Sequence, residues 1–332
     1  MGYFVDGVWH DQQPGAATGG RFEREPTRFR KWVTPDGTAG PSGEGGFAAE
    51  AGRYHLYVSL ACPWAHRAVI FRKLKKFESV IAMSVVAPFM GDAGWTFDVS
   101  DGSTGDALYH SAKLGDIYRM ANPRYSGRVT VPVLWDKQKG TIVNNESAEI
   151  IRMFNSAFNA FTDDRTDYCP ETLRAEIDAI NADVYDNINN GVYRAGFATT
   201  QQAYDEAFSA LFAALDRVER RLTVKRYLAG NALTEADWRL FTTLVRFDAV
   251  YYGHFKCNLR RIADYANLSN YLRALYQVPG IADTVSLDHI KRHYYGSHRH
   301  INPTGIVPLG PLLDFSSPHD RGRFENLSAP RV

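Results

Sequence analysis

The apolar residues of the chain follow two periods, and the switch between them predicts two kinds of structure. Tyr54 to Leu60 alternates apolar and polar residues as a strand does, and Val69, Ile70, Phe71 and Leu74 then recur at helical spacing within 63–77. A second strand is expected over 79–86, a short helix over 112–120, and an apolar strand over 129–135 interrupted by Pro132. A partner strand over 141–143 and a helix over 146–158, with Ile150, Ile151, Phe154 and Phe158 on one face, complete a βαβ then ββα order. Beyond Asp163 the period is helical throughout. Leu173, Ile177, Ile180, Val184 and Ile188 form one stripe, and Phe208, Leu211, Leu215, Val218 and Leu222 another. Thr234-Glu235-Ala236-Asp237 has the form of a capping box and opens a helix carrying Leu240, Phe241, Leu244 and Val245.

The stretches without a period set the boundaries. Residues 1–50 are rich in Gly, Pro and charge, with Phe4, Trp9, Phe22, Phe29 and Trp32 scattered among them, and are expected to form an extended arm tacked down in places. An α/β domain is expected over 51–160, helices over 161–296, and a surface-wrapping tail over 297–332, where Pro and Gly return. A length of 332 residues accommodates two domains. The insertion over 87–108 is long enough to suggest function or mobility.

Composition narrows the function. A net charge of +1 provides no electrostatic case for binding nucleic acid or an anionic membrane, so a small-molecule partner is expected. No apolar run approaches the roughly 18 residues of a membrane span, and no secretory leader pattern is visible, which points to the cytoplasm. Cys62, Cys169 and Cys257 are odd in number and widely spaced, which argues against a disulfide framework and a zinc site and for a reducing compartment.

Of the three, Cys62 has the setting of a nucleophile. It stands in Ala61-Cys62-Pro63-Trp64-Ala65, between the first strand and the first helix, and proline suits the first helical position. A cysteine at a helix N-terminus is expected to have its pKa lowered from the free value of about 8.5, and the thiolate is the reactive form. Ala65 occupies the second position of a Cys-x-x-Cys pair, so the site would work as a monothiol through a mixed disulfide. Cys169, which no βα unit surrounds, is read as structural and Cys257 as core. His66 is expected on the helix surface rather than as a base.

Cys-Pro after the first strand and Thr130-Val131-Pro132-Val133 opening the third resemble the thioredoxin fold as used in glutathione transferases, with Pro132 as the cis-proline beside the active site. Glu146-Ser147 at the next helix start fits a γ-glutamyl site, although an ordinary N-cap competes with that assignment. The resemblance sharpens to the xi class, the glutathionyl-hydroquinone reductases. It is carried by Cys62-Pro63-Trp64-Ala65, Gly94-Trp95, Arg128-Val129-Thr130-Val131-Pro132 and Asn144-Asn145-Glu146-Ser147. In the helical half it is carried by Leu233 to Leu240, Arg246-Phe247-Asp248, His254 to Asn258 and Ile301 to Pro308.

The resemblance implies a homodimer with glutathione as co-substrate and glutathionylated quinols as partners. Trp95 would lie against glutathione, Arg128 near its glycyl end, Val131 would pair its backbone with the cysteinyl part, and Glu146 and Ser147 would hold the γ-glutamyl end. Tyr193 would exchange a proton with the leaving hydroquinone, and Tyr251 and Tyr294 would hydrogen-bond near the sulfur or the quinol oxygen. For each tyrosine core packing is the competing explanation, and Tyr252 or Tyr295 is the neighbouring alternative. Two other functions are weighed against the reductase. One is an omega-like dehydroascorbate or mixed-disulfide reductase, and the other is a non-catalytic glutathione-fold module.

Overall fold

The computed structural model describes residues 2–11 and 18–328. Its first element is a hairpin of β1 (Tyr3–Val5) and β2 (Val8–His10), closed by Asp6 and Gly7 at φ 46° and 79°. Two consecutive residues at positive φ are what a two-residue hairpin turn with the right twist requires, and Asp-Gly adopts them readily. The main sheet follows in β3 (Tyr54–Val58), α1 (Pro63–Leu74), β4 (Ala82–Val85), α2 (Leu114–Ala121), β5 (Gly127–Arg128), β6 (Val133–Asp136), β7 (Thr141–Asn144) and α3 (Ser147–Ser156).

Strand order in that sheet is β4-β3-β6-β7, with β4 parallel to β3 and the other pairs antiparallel. Every residue of β3 and β6 is buried, so both faces of the sheet are covered, and α1 packs on α3. This is a thioredoxin-like domain. The apolar run over 129–135 is divided: β5 joins a second sheet of order β2-β1-β5, and β6 begins only after Pro132. Proline has no N–H to give to a ladder, so pairing changes partner there.

The arm is integral to this domain at its start and from Glu25 onward. Tyr3 pairs with Arg128 and Phe4 with Gly127, and Phe4 is buried against Trp9 and Tyr125. Further along, the Lys31 amide donates to the Val143 carbonyl (3.0 Å), Arg30 bridges Asn144, and Asn144 Nδ2 donates to the Lys31 carbonyl (2.9 Å). The stretch thereby covers the outer edge of β7, which would otherwise present unpaired backbone. Residues 12–17 of the expected arm and 329–332 of the expected tail lie outside the described residues. The 87–108 insertion is pinned to β4, the Ser103 hydroxyl and Thr104 amide both donating to the Val85 carbonyl.

The second half is helical, with α4 (Arg174–Asp183), α5 (Gly191–Gly196), α6 (Gln201–Arg221), α7 (Glu235–Arg246), α8 (Ala266–Tyr276) and α9 (Leu287–Ser297). The stripe from Leu173 to Ile188 is not one helix. A widened π-helical turn occupies Val184–Asn189, and another, Phe247–Tyr251, follows α7. Thr234 caps α7 with Asp237 as its partner, as the capping box predicts. Arg321, buried in the tail, donates to the carbonyls of Leu222 (2.8 Å) and Arg226 (2.7 Å).

The chain divides into two compact units, neither continuous in sequence. One holds the β1–β2 hairpin, Glu25–Thr166 and Thr284–Val307; the other holds Asp167–Asp283, the residues just before Glu25 and those from Pro308 onward. The helix α9, which periodicity groups with the helical stretch, therefore belongs to the unit that contains the sheet. No helix among the described residues is long and apolar enough to cross a membrane.

One buried group of the sheet makes stability depend on pH. His55 of β3 is fully buried with Nε2 2.9 Å from the Ser84 hydroxyl, and burial pushes its pKa down to about 4. An unfolded histidine titrates near 6.5, so between pH 6.5 and 4 the unfolded chain binds a proton that the folded chain refuses, and stability falls as pH falls. Between pH 7 and pH 5 this should remove about 2 kcal/mol from the folding free energy. In urea titrations at the two values, His55→Gln should show a correspondingly smaller loss, and equal losses would exclude His55 as the source.

Candidate active site

The chain leaves β3 at Val58 and turns into α1 within four residues. Cys62 is the N-cap of α1 (φ −78°, ψ 122°), with Pro63 at the first helical position. The turn is held by the Cys62 amide donating to the Ser59 carbonyl (3.2 Å) and the Ala61 amide to the Ser59 hydroxyl (3.2 Å). A helix start directs backbone N–H groups and positive dipole toward this position, which favours a thiolate. Cys62 is half-buried, whereas Cys169 and Cys257 are buried, and burial pushes the Cys257 thiol upward. Position and exposure both single out Cys62.

The Sγ of Cys62 lies 3.7 Å from the carbonyl oxygen of Val131, whose bond to Pro132 is cis. The head of α1 and the cis-peptide turn before β6 thus meet at the sulfur. Glu146 is the N-cap of α3: one carboxylate oxygen accepts from the Ala148 amide (3.2 Å) and the other from the Thr27 hydroxyl (3.3 Å). Ser147 opens the helix, and its hydroxyl accepts from Arg67 Nη1 at 3.3 Å. Arg67, buried in α1 with its guanidinium 4.5 Å from the Trp64 ring centroid, is a member of the site that the sequence pattern did not single out. The available signal was a basic residue interrupting the apolar face of α1.

Trp95, in the insertion, is buried and stacks on the His293 ring of α9 at 4.8 Å, and His293 Nδ1 is 2.9 Å from the Pro88 carbonyl. Arg128 is half-buried on β5, its carbonyl accepting from the Tyr125 hydroxyl at 2.8 Å. Tyr294, on α9, is buried with its ring 5.4 Å from that of His298. His66 departs from expectation. It is buried, not on the helix surface, and its Nε2 is 2.8 Å from the Thr284 hydroxyl, because α1 is enclosed on nearly every side.

Cys62, Trp95, Arg128, Val131, Glu146, Ser147 and Tyr294 fall in the unit with the sheet, and Tyr193 and Tyr251 fall in the helical unit. The last two are neighbours, with ring centroids 6.1 Å apart. Tyr251 ends a π-helical turn and stacks on Phe255, while Arg24 sits 4.9 Å from the Tyr193 ring centroid. A Cβ on Gly196 would come within 2.2 Å of the Phe255 ring, so glycine permits this aromatic cluster to close. Tyr252 and Tyr295 are half-buried.

Two family descriptions match this architecture: glutathione S-transferase N-terminal domain over residues 61–157, and glutathione S-transferase C-terminal domain over 201–274. A thioredoxin-like domain with this helical complement is the plan of a glutathione transferase. The chain is 59% identical to glutathionyl-hydroquinone reductase YqjG of Escherichia coli, over 97% of this chain and 98% of that protein. It is 52% identical to glutathionyl-hydroquinone reductase PcpF of Sphingobium chlorophenolicum, over 94% and 96%. Its fold matches the glutathione-bound structure of Escherichia coli YqjG with a TM-score of 0.90 at 57% identity, covering 96% of this chain and 99% of that one. A xi-class transferase from Natrialba magadii matches with a TM-score of 0.91 at 50% identity, covering 98% and 97%. The chain belongs to the xi class of glutathione transferases, the family of the glutathionyl-hydroquinone reductases.

Proposed function

We propose that this protein is an oxidoreductase that removes glutathione from glutathionyl-hydroquinones, releasing the hydroquinone and glutathione disulfide. The observation that carries the site is the half-buried sulfur of Cys62 at the head of α1, 3.7 Å from the Val131 carbonyl and without a second cysteine one turn on. In the first step the Cys62 thiolate attacks the glutathionyl sulfur of the aryl thioether. The carbon–sulfur bond breaks, its electron pair stays on the ring, a proton from Tyr193 completes the hydroquinone, and Cys62 is left disulfide-bonded to glutathione. A second glutathione thiolate attacks that disulfide, forming glutathione disulfide and regenerating Cys62. The ring gains two electrons and the two glutathiones lose them.

Val131 pairs its backbone with the cysteinyl part of glutathione, as an added strand would. Glu146 receives the ammonium, Ser147 and the start of α3 the γ-glutamyl carboxylate, Arg128 the glycyl end, and Trp95 lies against the tripeptide. Tyr251 and Tyr294 hydrogen-bond near the sulfur or the quinol oxygen, where they assist the tautomerisation that makes carbon a tolerable leaving atom. The working form is a homodimer in a reducing cytoplasm, which suits three widely spaced cysteines. After incubation with glutathione disulfide, peptide mass spectrometry should find one glutathionyl group on Cys62 and none on Cys169 or Cys257. An unmodified Cys62 would remove the basis for the scheme.

A further inference from the structure

One buried hydroxyl links the two walls of the proposed glutathione groove, the one at Val131 and the one at Glu146. Tyr118 of α2 is fully buried, its ring packed edge-on against Phe29 at 5.8 Å and tilted against Tyr125 at 5.0 Å. Its oxygen donates to the Thr130 carbonyl at 2.8 Å and accepts from the Thr130 amide at 3.2 Å. It also accepts from Asn145 Nδ2 at 3.0 Å. A phenol has one proton and two lone pairs, so these contacts use its full capacity. Burial raises its pKa, which keeps the donor protonated at neutral pH.

The two residues it holds are not arbitrary. Thr130 precedes Val131, and Asn145 precedes Glu146, so the hydroxyl holds the backbone just before one wall of the groove and the side chain just before the other. Asn145 also exchanges hydrogen bonds with the arm, its Oδ1 accepting from the Phe29 amide (3.2 Å) and its own amide donating to the Phe29 carbonyl (3.1 Å).

We propose that Tyr118 is a positioning residue for glutathione, setting the spacing between the Val131 backbone and the Glu146 end of the groove. This rests on the glutathione site assigned above. A ligand that must span both walls binds tightly only when they are already in register, and a buried hydrogen bond to each supplies that register.

Tyr118→Phe keeps the ring and removes the hydroxyl. The KM values for glutathione and for a glutathionyl-hydroquinone should rise together by about tenfold, because both place a glutathionyl group in the groove, with the saturated rate within about twofold of wild type. Tyr54→Phe is the comparison, since it removes a buried phenol that donates to the Ala48 carbonyl (2.6 Å). It should lower thermal stability similarly and leave both KM values unchanged. Should Tyr118→Phe not fold, Asn145→Ala removes the other half of the link and should show the same split. Unchanged KM values, or a fall in saturated rate with KM unchanged, would overturn the proposal. The glutathione site itself would fail separately, and visibly, if wild-type Cys62 took up no glutathione.

Discussion

Cys62→Ser should lower hydroquinone release from a glutathionyl-hydroquinone by on the order of 10³-fold or more, with the folded state intact. A serine hydroxyl at the head of α1 is not ionised at neutral pH, and an oxygen cannot form the disulfide through which the second glutathione acts. No other thiol stands in reserve. Cys169 and Cys257 are buried, burial holds the Cys257 thiol protonated, and the position three residues after Cys62 is Ala65. The assay is hydroquinone release at saturating glutathione, with circular dichroism to verify the fold. A rate near that of wild type would mean that the sulfur of Cys62 is not the acceptor.

The second large effect is on stability. Asp237 is fully buried at the start of α7, and its carboxylate accepts four hydrogen bonds: from the amides of Leu228 (2.8 Å) and Thr234 (2.8 Å), the Thr234 hydroxyl (3.0 Å) and the Tyr271 hydroxyl (2.7 Å). These donors come from the loop before α7, its N-cap and α8, so one side chain ties three segments together. Asp237→Ala strands all four in a place water does not reach, and should cost about 3–5 kcal/mol. Asp237→Asn keeps the shape but points an amide donor at donors, and should cost about 2–3 kcal/mol. Urea midpoints of the helical unit, followed by far-ultraviolet circular dichroism, measure both. A shift of under about 0.5 kcal/mol for the alanine variant would show that the carboxylate is not what holds this junction.

The parts of the site legible in the sequence were those governed by local rules. Cys62-Pro63 announces a helix start, and Glu146-Ser147 announces another, because proline geometry and capping chemistry operate over a few residues. The hairpin at the N-terminus was equally legible, since Asp6-Gly7 between Val5 and Val8 is a strong two-residue turn signal, yet the Gly- and Pro-rich surroundings favoured an extended arm. What that hairpin pairs with was not legible, because β5 lies more than a hundred residues away. The π-helical turns before α5 and after α7 were hidden for another reason: an apolar stripe with a 3.6-residue period does not register one inserted residue per turn. Arg67 and His66 escaped because burial of nearly the whole of α1 depends on the elements packed around it. No local pattern marks Tyr118, and only the fold reveals which groups its hydroxyl meets.

The stretch along β7 does two jobs with one short run of backbone. It closes the exposed margin of the sheet, and through Thr27 and Phe29 it reaches the Glu146 carboxylate and Asn145, the residues that lead into α3. A shortened form of the protein lacking everything before residue 35 would therefore lose both at once. A loosened start of α3 would arrive together with a sticky strand inviting other chains, and neither fault would be a defect of the thiol chemistry.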